Sequence, residues 1–340
     1  MAAPYYTDDQ VTLYHGDALA VVGGLPDRSV DCIVTSPPYY GLRDYGTEGQ
    51  YGLEDSPAEY VDNMRELFAE LRRVLADDGT LWLNLGDSYY SGRGNPGPNS
   101  ADEKQPARRG WVRPQDRCGV PWSSPKNLLG IPWRVAFALQ DDGWILRNAD
   151  IWVKPNAMPE SVTDRLANRY EHVFMFSKST RYWFDLDAIR VPATTERVGA
   201  LSWDRATDDI PGQKPQHRRG RKWGGVSAPQ PNLESTGKRH TSQADQGRNP
   251  GDVWVIPTQP FAAAHFAVMP VALAQICVVG GCKPGGAVLD PFSGSGTTGV
   301  AAQNAGRRYI GIDINAEYLD LSLTHPKRLQ NGSLDFGSAS

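Results

Sequence analysis

The sequence predicts an α/β protein built on a Rossmann-like, doubly wound and mostly parallel sheet. Three observations carry that expectation. Short apolar runs of strand length alternate with stretches of helical periodicity. Gly294, Gly296 and Gly299 form a G-x-G-x-x-G turn between one such run and a helix. An acidic residue, Asp313, closes the next apolar run about 20 residues on.

Residues 11–17 open the chain with an apolar run that ends in Gly-Asp. Val30, Ile33 and Val34 mark a buried strand, halted by Pro37 and Pro38 because proline cannot donate to a ladder. A helix follows, with Ser56 as N-cap, Pro57 in the first turn and Glu59 as the capping partner. Val61, Met64, Phe68, Leu71 and Leu75 recur at helical spacing, and Gly79 is expected to cap the C-terminus. Residues 80–87 form another short strand ending in a polar turn. Residues 88–126, rich in Gly, Pro and Arg, read as loops. A short helix at 132–140 precedes strands near 149–153 and 172–177. Order returns at 251–256, followed by a helix at 270–279, a strand at Val288 and Leu289, a helix at 297–304 and a strand at 309–314.

A chain of 340 residues can bury one large core plus a smaller lobe. Its 40% hydrophobic and 22% charged residues are ordinary for a soluble globular protein. No apolar run reaches the roughly 18 residues of a membrane span, and the N-terminus lacks a basic-then-apolar export signal. A cytoplasmic location is therefore expected. Cys32, Cys118, Cys277 and Cys282 lack the two-residue gap of a zinc or redox motif, so reduced thiols are expected. The histidines are widely spread and no metal cluster is visible, so the expected chemistry is metal-free.

Charge is more informative by position than by sum. The net charge is −4. Yet Lys214, Arg218, Arg219, Arg221, Lys222, Lys238 and Arg239 face a single acid, Glu234, in a polar, weakly periodic stretch. Arg108, Arg109, Arg113, Arg117 and Lys126 form a second basic island around Asp116. Each alone reads as a solvated segment, but together they point to one basic face of the kind nucleic acids meet.

The glycine turn reads as a nucleotide-type site. Small residues let a ligand approach the backbone, and a carboxylate at the next strand end can take both ribose hydroxyls. Gly299 is followed by Val300, so the Gly-Lys-Ser/Thr of a P-loop is absent. Asp290 stands just before the glycines, where it would repel a pyrophosphate and suit a cationic ligand. The second constellation, Ser36-Pro37-Pro38-Tyr39, ends a predicted strand, on the ligand-binding edge of such a sheet. A serine hydroxyl and a proline carbonyl can together accept from an aromatic amino group. Tyr39 offers a flat face to a base flipped out of a duplex. The plain alternative is a proline-stiffened turn with a packed tyrosine.

Taken together, these segments resemble the amino-group DNA methyltransferases, which modify N4 of cytosine or N6 of adenine. The resemblance rests on Thr35-Ser36-Pro37-Pro38-Tyr39, on residues 290–298 (DPFSGSGTT) and on residues 306–313 (GRRYIGID). It includes His15-Gly16-Asp17 and residues 265–270 (HFAVMP), and spans about 11–190 and 251–325. The catalytic motif precedes the cofactor motif, a circularly permuted order similar to the β group. The implied fold is the class I methyltransferase fold. Residues 1–190 would supply the catalytic part, 191–250 an inserted basic target-recognition region, and 251–340 the cofactor-binding part.

The resemblance also implies roles. Ser36 and the Pro37 carbonyl would hold the target amino group, Pro38 would stiffen the turn, and Tyr39 would stack on the base. S-adenosylmethionine would be the cofactor, its methionine part lined by Asp290, Phe292, Ser293, Gly294, Ser295 and Gly296, with Thr297 and Thr298 at the helix start. Asp313 would bind the ribose and Asp17 would approach the adenine. Thr35, His265 and Phe266 would complete that pocket. Arg218, Arg219, Arg221 and Lys222 would contact double-stranded DNA. Asn84 and Asp87 could face the pocket or cap turns, and Lys154 and Asn156 could be family residues or solvated loop residues.

The implied reaction is direct methyl transfer to nitrogen. No cysteine follows a proline, so the covalent chemistry of ring-carbon methylation is disfavoured. Serine at position 36 is typical of cytosine-N4 members and aspartate of adenine-N6 members, which favours N4 of cytosine. Adenine N6 stays open, as do an NAD-dependent oxidoreductase and a DNA-binding protein that has lost catalysis. A homodimer and a cognate restriction endonuclease are further partners the family allows.

Overall fold

The structure is a computed structural model. It describes residues 3–90, 124–192, 247–259, 269–325 and 329. The expectations for His265 and Phe266, for Arg218, Arg219, Arg221 and Lys222, and for most of the two basic islands lie outside the described residues. The chain divides into a unit of residues 1–189 with 251–340 and a unit of residues 190–250. In the second unit, Val191 and Arg248 meet in an antiparallel bridge.

Nine strands of the first unit form one sheet among the described residues. In chain order the elements are β1 (Tyr6–Thr7), β2 (Val11–His15), α1 (Ala18–Gly23), β3 (Val30–Thr35), α2 (Pro57–Val74) and β4 (Leu75–Leu85). Then come α3 (Ile131–Asp141), β5 (Ile145–Val153), β6 (Tyr170–Ser177) and β7 (Val253–Val255). The last are α4 (Val271–Gly281), β8 (Ala287–Asp290), α5 (Thr297–Asn304), β9 (Arg308–Asp313) and α6 (Ala316–Thr324). The spatial order is β1-β2-β9-β8-β3-β4-β6-β5-β7. Only β1 and β6 run against the others.

The central pair fixes where a ligand can bind. Cys32 and Ile33 of β3 lie beside Val288 and Leu289 of β8. From β3 the chain moves on to β4 on one side, whereas from β8 it moves to β9 on the other. The two connections part at the carboxyl ends of these strands and leave a crevice, the switch point of a doubly wound sheet. The sequence-level fold is therefore the observed one.

Helices cover both faces. On one, α1, α2 and α3 bury Val21, Val22, Tyr60, Leu67, Phe68, Leu71, Val135 and Leu139 against the sheet. On the other, α4, α5 and α6 bury Leu273, Val278, Ala301, Ala302 and Leu319. Strands sandwiched in this way need apolar residues on both faces, which is why β8 reads Ala-Val-Leu without alternation. Each large side chain so buried contributes about 1.5–3 kcal/mol. Cys32, Cys277 and Cys282 are free thiols in this core.

Helix α2 starts as its sequence dictates. Ser56 accepts from the Glu59 N–H at 3.2 Å, and Glu59 accepts in return from the Asp55 N–H at 3.0 Å. Its end differs from the sequence expectation. The helix stops at Val74, and Leu75 turns to extended backbone and begins β4 without a glycine cap. Gly79 lies inside that strand. A Cβ there would meet the Leu75 side chain at 2.5 Å and the Asp31 carbonyl at 2.9 Å, so close approach and not helix termination explains this glycine. No helix among the described residues is long and apolar enough to cross a membrane.

Candidate active site

The crevice opens into a cavity of about 340 Å³ that collects most of the described site candidates. Asp17, Ser36, Pro37, Pro38, Tyr39, Asp290, Phe292, Ser293, Gly294, Ser295, Thr297, Thr298 and Asp313 all line it. Residues from opposite ends of the chain thus share one wall. Thr35 and Gly296 do not reach the wall; they shape it from behind.

At the cofactor end, Asp290 closes β8 and is 4% exposed. Its carboxylate accepts from the Thr35 hydroxyl at 2.7 Å, the Thr298 hydroxyl at 2.8 Å and the Phe292 N–H at 3.1 Å. Burial nonetheless pushes its pKa up to about 6, and those three donors limit the rise. Gly294 and Gly296 take left-handed backbone at φ 51 and 78°, which glycine adopts without a Cβ penalty. The third glycine serves packing. A Cβ on Gly299 would stand 2.5 Å from Leu329 and 2.6 Å from the Tyr309 ring.

Two candidate residues also serve the fold. The Ser293 hydroxyl bonds the Tyr309 hydroxyl at 2.8 Å in the core. Asp17 caps α1 by accepting from the Ala20 N–H at 2.9 Å. Ser295 contrasts with them, because its buried hydroxyl oxygen has no hydrogen-bond partner within the described protein. At the end of β9, Asp313 accepts from the N–H groups of Gly294 and Asn315 at 2.7 and 2.8 Å. Burial raises its pKa, and those donors oppose the rise.

The other end of the cavity is built from the Ser-Pro-Pro-Tyr turn and β4 to β6. The Tyr60 hydroxyl donates to the Pro38 carbonyl at 2.9 Å and so ties the turn to α2. Ser36 donates to the Tyr39 hydroxyl at 3.2 Å. The Tyr39 proton goes to Glu171 at 2.8 Å, a shorter contact than the 3.2 Å to Asn84. Burial and the neighbouring Glu171 carboxylate raise the Tyr39 pKa well above its usual value, so the phenol remains a donor. All protons in this chain point toward Glu171. The lone pairs of Ser36 Oγ are left to accept, and among the described residues nothing donates to the Pro37 carbonyl. Gly86 gives the tyrosine ring its room, since a Cβ there would lie 2.5 Å from a ring carbon.

The remaining polar candidates divide. Asn84 and Lys154 line the cavity. Asp87 accepts from the N–H groups of Gly130 and Ile131 at 3.1 Å each and so caps the start of α3. Asn156 pairs with Thr258. Sequence reasoning missed Tyr51, Ile314, Tyr318 and Glu171, which all line the cavity. Tyr51 meets Phe292 edge-on at 5.4 Å. Its signal was faint, because an aromatic in a Gly-rich loop carries no periodicity. Glu171 opens a strand and reads as a solvated charge.

A family model for DNA methylases, pooling N6 and N4 enzymes, matches residues 30–324. The chain belongs to that family. It is 44% identical over 322 residues to the type II methyltransferase M.Cfr9I of Citrobacter freundii, covering 92% of this chain and 86% of the relative. It is 45% identical over 319 residues to the type II methyltransferase M.XycI of Xanthomonas campestris pv. cyanopsidis, with the same 92% and 86% coverage. Among solved structures, the PvuII DNA methyltransferase (cytosine-N4-specific) superposes with a TM-score of 0.61 at 19% identity. That match covers 97% of this chain and 90% of the other, and at that identity it speaks for the fold.

The chain is thus a DNA methyltransferase, and S-adenosylmethionine is its cofactor. The residues present fit that molecule. Asp313 offers a carboxylate to a ribose, the glycine turn opens the backbone, Phe292 and Tyr51 supply aromatic surface, and Ser295 brings an unused hydroxyl. The buried carboxylate of Asp290 behind the glycines suits a ligand without phosphate.

Proposed function

We propose that the protein transfers a methyl group from S-adenosylmethionine to N4 of cytosine in double-stranded DNA. The observation that carries this reading is Ser36 Oγ at the cavity wall, its own proton spent on Tyr39 and its lone pairs facing the place of an amino group. Serine at this position is typical of the cytosine-N4 members of the family, and a similar fold belongs to an enzyme described as cytosine-N4-specific.

In this mechanism the bound cofactor supplies an electrophilic methyl group. Ser36 and the Pro37 carbonyl would accept the two N–H bonds of the target amino group. Drawing those bonds out of the ring plane loosens the nitrogen lone pair from the ring and makes it a better nucleophile. Tyr39 would hold the flipped base by stacking. Asp313 would orient the ribose, and Asp290 would keep the glycine turn and the Ser-Pro-Pro-Tyr strand in register. Proximity and exclusion of water in the crevice would carry much of the rate.

Residues 191–250 are proposed as the target-recognition region, on the strength of their place between the two motifs and of Arg218, Arg219, Arg221 and Lys222. Relatives named as type II methyltransferases support a place in restriction–modification, with a cognate endonuclease as partner. A homodimer is a further proposal that sedimentation of the purified protein tests. Nucleoside analysis of DNA methylated by the protein tests the reading itself.

A further inference from the structure

The acceptor Ser36 is joined through side-chain contacts to a donor that lines the same cavity. Lys154 directly follows β5, and its ammonium lies 4.5 Å from the centroid of the Trp152 ring. That ring is held by its own N–H, which donates to the Ile256 carbonyl at 2.8 Å. The ammonium also pairs with Glu171, and the two side chains are only 18% and 15% exposed. A pair so enclosed is expensive to desolvate unless its remaining valences are used.

Those valences are unevenly used. One Glu171 oxygen takes Lys154, while the other accepts from Tyr39 at 2.8 Å and Asn84 at 3.1 Å. The carboxylate is therefore occupied on both oxygens. The ammonium has three N–H bonds, yet among the described residues Glu171 is its only hydrogen-bond partner. It lines the cavity with donors to spare. An unbroken line of contacts, Ser36 to Tyr39 to Glu171 to Lys154, joins an acceptor and a cationic donor that both line the cavity.

We infer that Lys154 is a specificity-determining residue that donates to the N3 and O2 acceptors of the flipped cytosine, with Glu171 and Trp152 fixing its position. The inference rests on the cytosine-N4 reading. Along one edge cytosine presents an amino donor followed by two acceptors, which matches the polarity of this cavity. Adenine presents its amino group and N1, but a C–H where cytosine has O2. A buried ammonium facing that C–H would lose its partner, and a site built to bond an acceptor rejects a base lacking it.

The test uses the full-length protein. Nucleoside analysis of the wild-type product first names the methylated base, and mapping in genomic DNA supplies a duplex with one cognate site. Steady-state kcat and KM are then measured on that duplex with the target cytosine intact or replaced by 2-thiocytosine, whose sulfur is a weak acceptor. Lys154→Met should lower kcat/KM on the normal duplex by about 10- to 100-fold with S-adenosylmethionine affinity unchanged, and its melting temperature should fall because the enclosed Glu171 loses its cation. The penalty for 2-thiocytosine seen with the wild type should vanish in this variant. Lys154→Arg, which keeps the charge, should recover part of both. Should Lys154→Met fail to fold, Glu171→Gln replaces it and should likewise shrink the 2-thiocytosine penalty. Full activity of the variant, or an undiminished 2-thiocytosine penalty, would overturn the inference and leave the cytosine-N4 reading standing. N6-methyladenine from the wild type would instead defeat that reading, and the inference with it.

Discussion

The Thr35 hydroxyl donates to the Asp290 carboxylate at 2.7 Å, across 255 residues of chain. One residue ends the strand that leads into the Ser-Pro-Pro-Tyr turn and the other ends the strand that leads into the glycine turn. Their bond is buried and links the two segments directly. The Thr298 hydroxyl completes the clamp from α5.

Thr35→Val keeps the shape of the side chain and deletes the donor. It leaves one Asp290 oxygen with a single partner, the Phe292 N–H. A loss of about 1–3 kcal/mol in folding stability is expected, together with weaker S-adenosylmethionine binding. Urea unfolding and titration calorimetry check both, and unchanged affinity would show that the clamp does not shape the cofactor end.

Ser36→Ala should cut the transfer rate by about 100-fold or more and leave cofactor affinity intact. The variant lacks the acceptor proposed for the amino group but retains every contact of the glycine turn. Single-turnover transfer of labelled methyl, set beside calorimetry, separates the two effects. Loss of cofactor binding would mean that the turn is structural.

Gly86→Ala tests whether the seat of Tyr39 matters. The added Cβ would stand 2.5 Å from the tyrosine ring and force it from its place. Transfer should fall while S-adenosylmethionine affinity holds, because Gly86 lies at the base end. If Tyr39→Phe keeps most of the activity lost in Gly86→Ala, stacking outweighs the hydroxyl contact to Glu171.

Asp150 gives a pH-dependent prediction. It is 3% exposed on β5, lies near Asp252, and its carboxyl has no hydrogen-bond partner among the described residues. Burial pushes its pKa up to about 7. A carboxyl whose folded pKa is raised favours the fold fully below the unfolded value near 4 and loses that contribution as pH rises through 7. Asp150→Asn should therefore gain melting temperature over the wild type progressively between about pH 4 and 7 and level off above that. A gap that stays flat with pH would contradict the assignment.

Much of this architecture was legible in the sequence because its signals are local. The Ser56–Glu59 cap, the glycine turn and the proline-stopped strand each follow from a few adjacent residues. Gly79 was misjudged as a helix cap, since nothing nearby in sequence announces that Leu75 and Asp31 crowd it. The base end was half visible. Ser36 to Tyr39 stood out as a motif, whereas Glu171 gains meaning only through antiparallel pairing that sets β6 between β4 and β5. Asp17 and Ser293 have second duties that no motif announces. Motif position puts both at the cavity, where both lie, and the structure adds that Asp17 caps a helix and Ser293 bonds Tyr309.

The most direct test of the account is the identity of the modified base. DNA incubated with the purified protein and methyl-labelled S-adenosylmethionine is digested to nucleosides and separated by mass spectrometry. The arrangement of Ser36, Pro37 and Tyr39 predicts label in N4-methylcytosine. Label in N6-methyladenine, or in neither amino-methylated nucleoside, would contradict it.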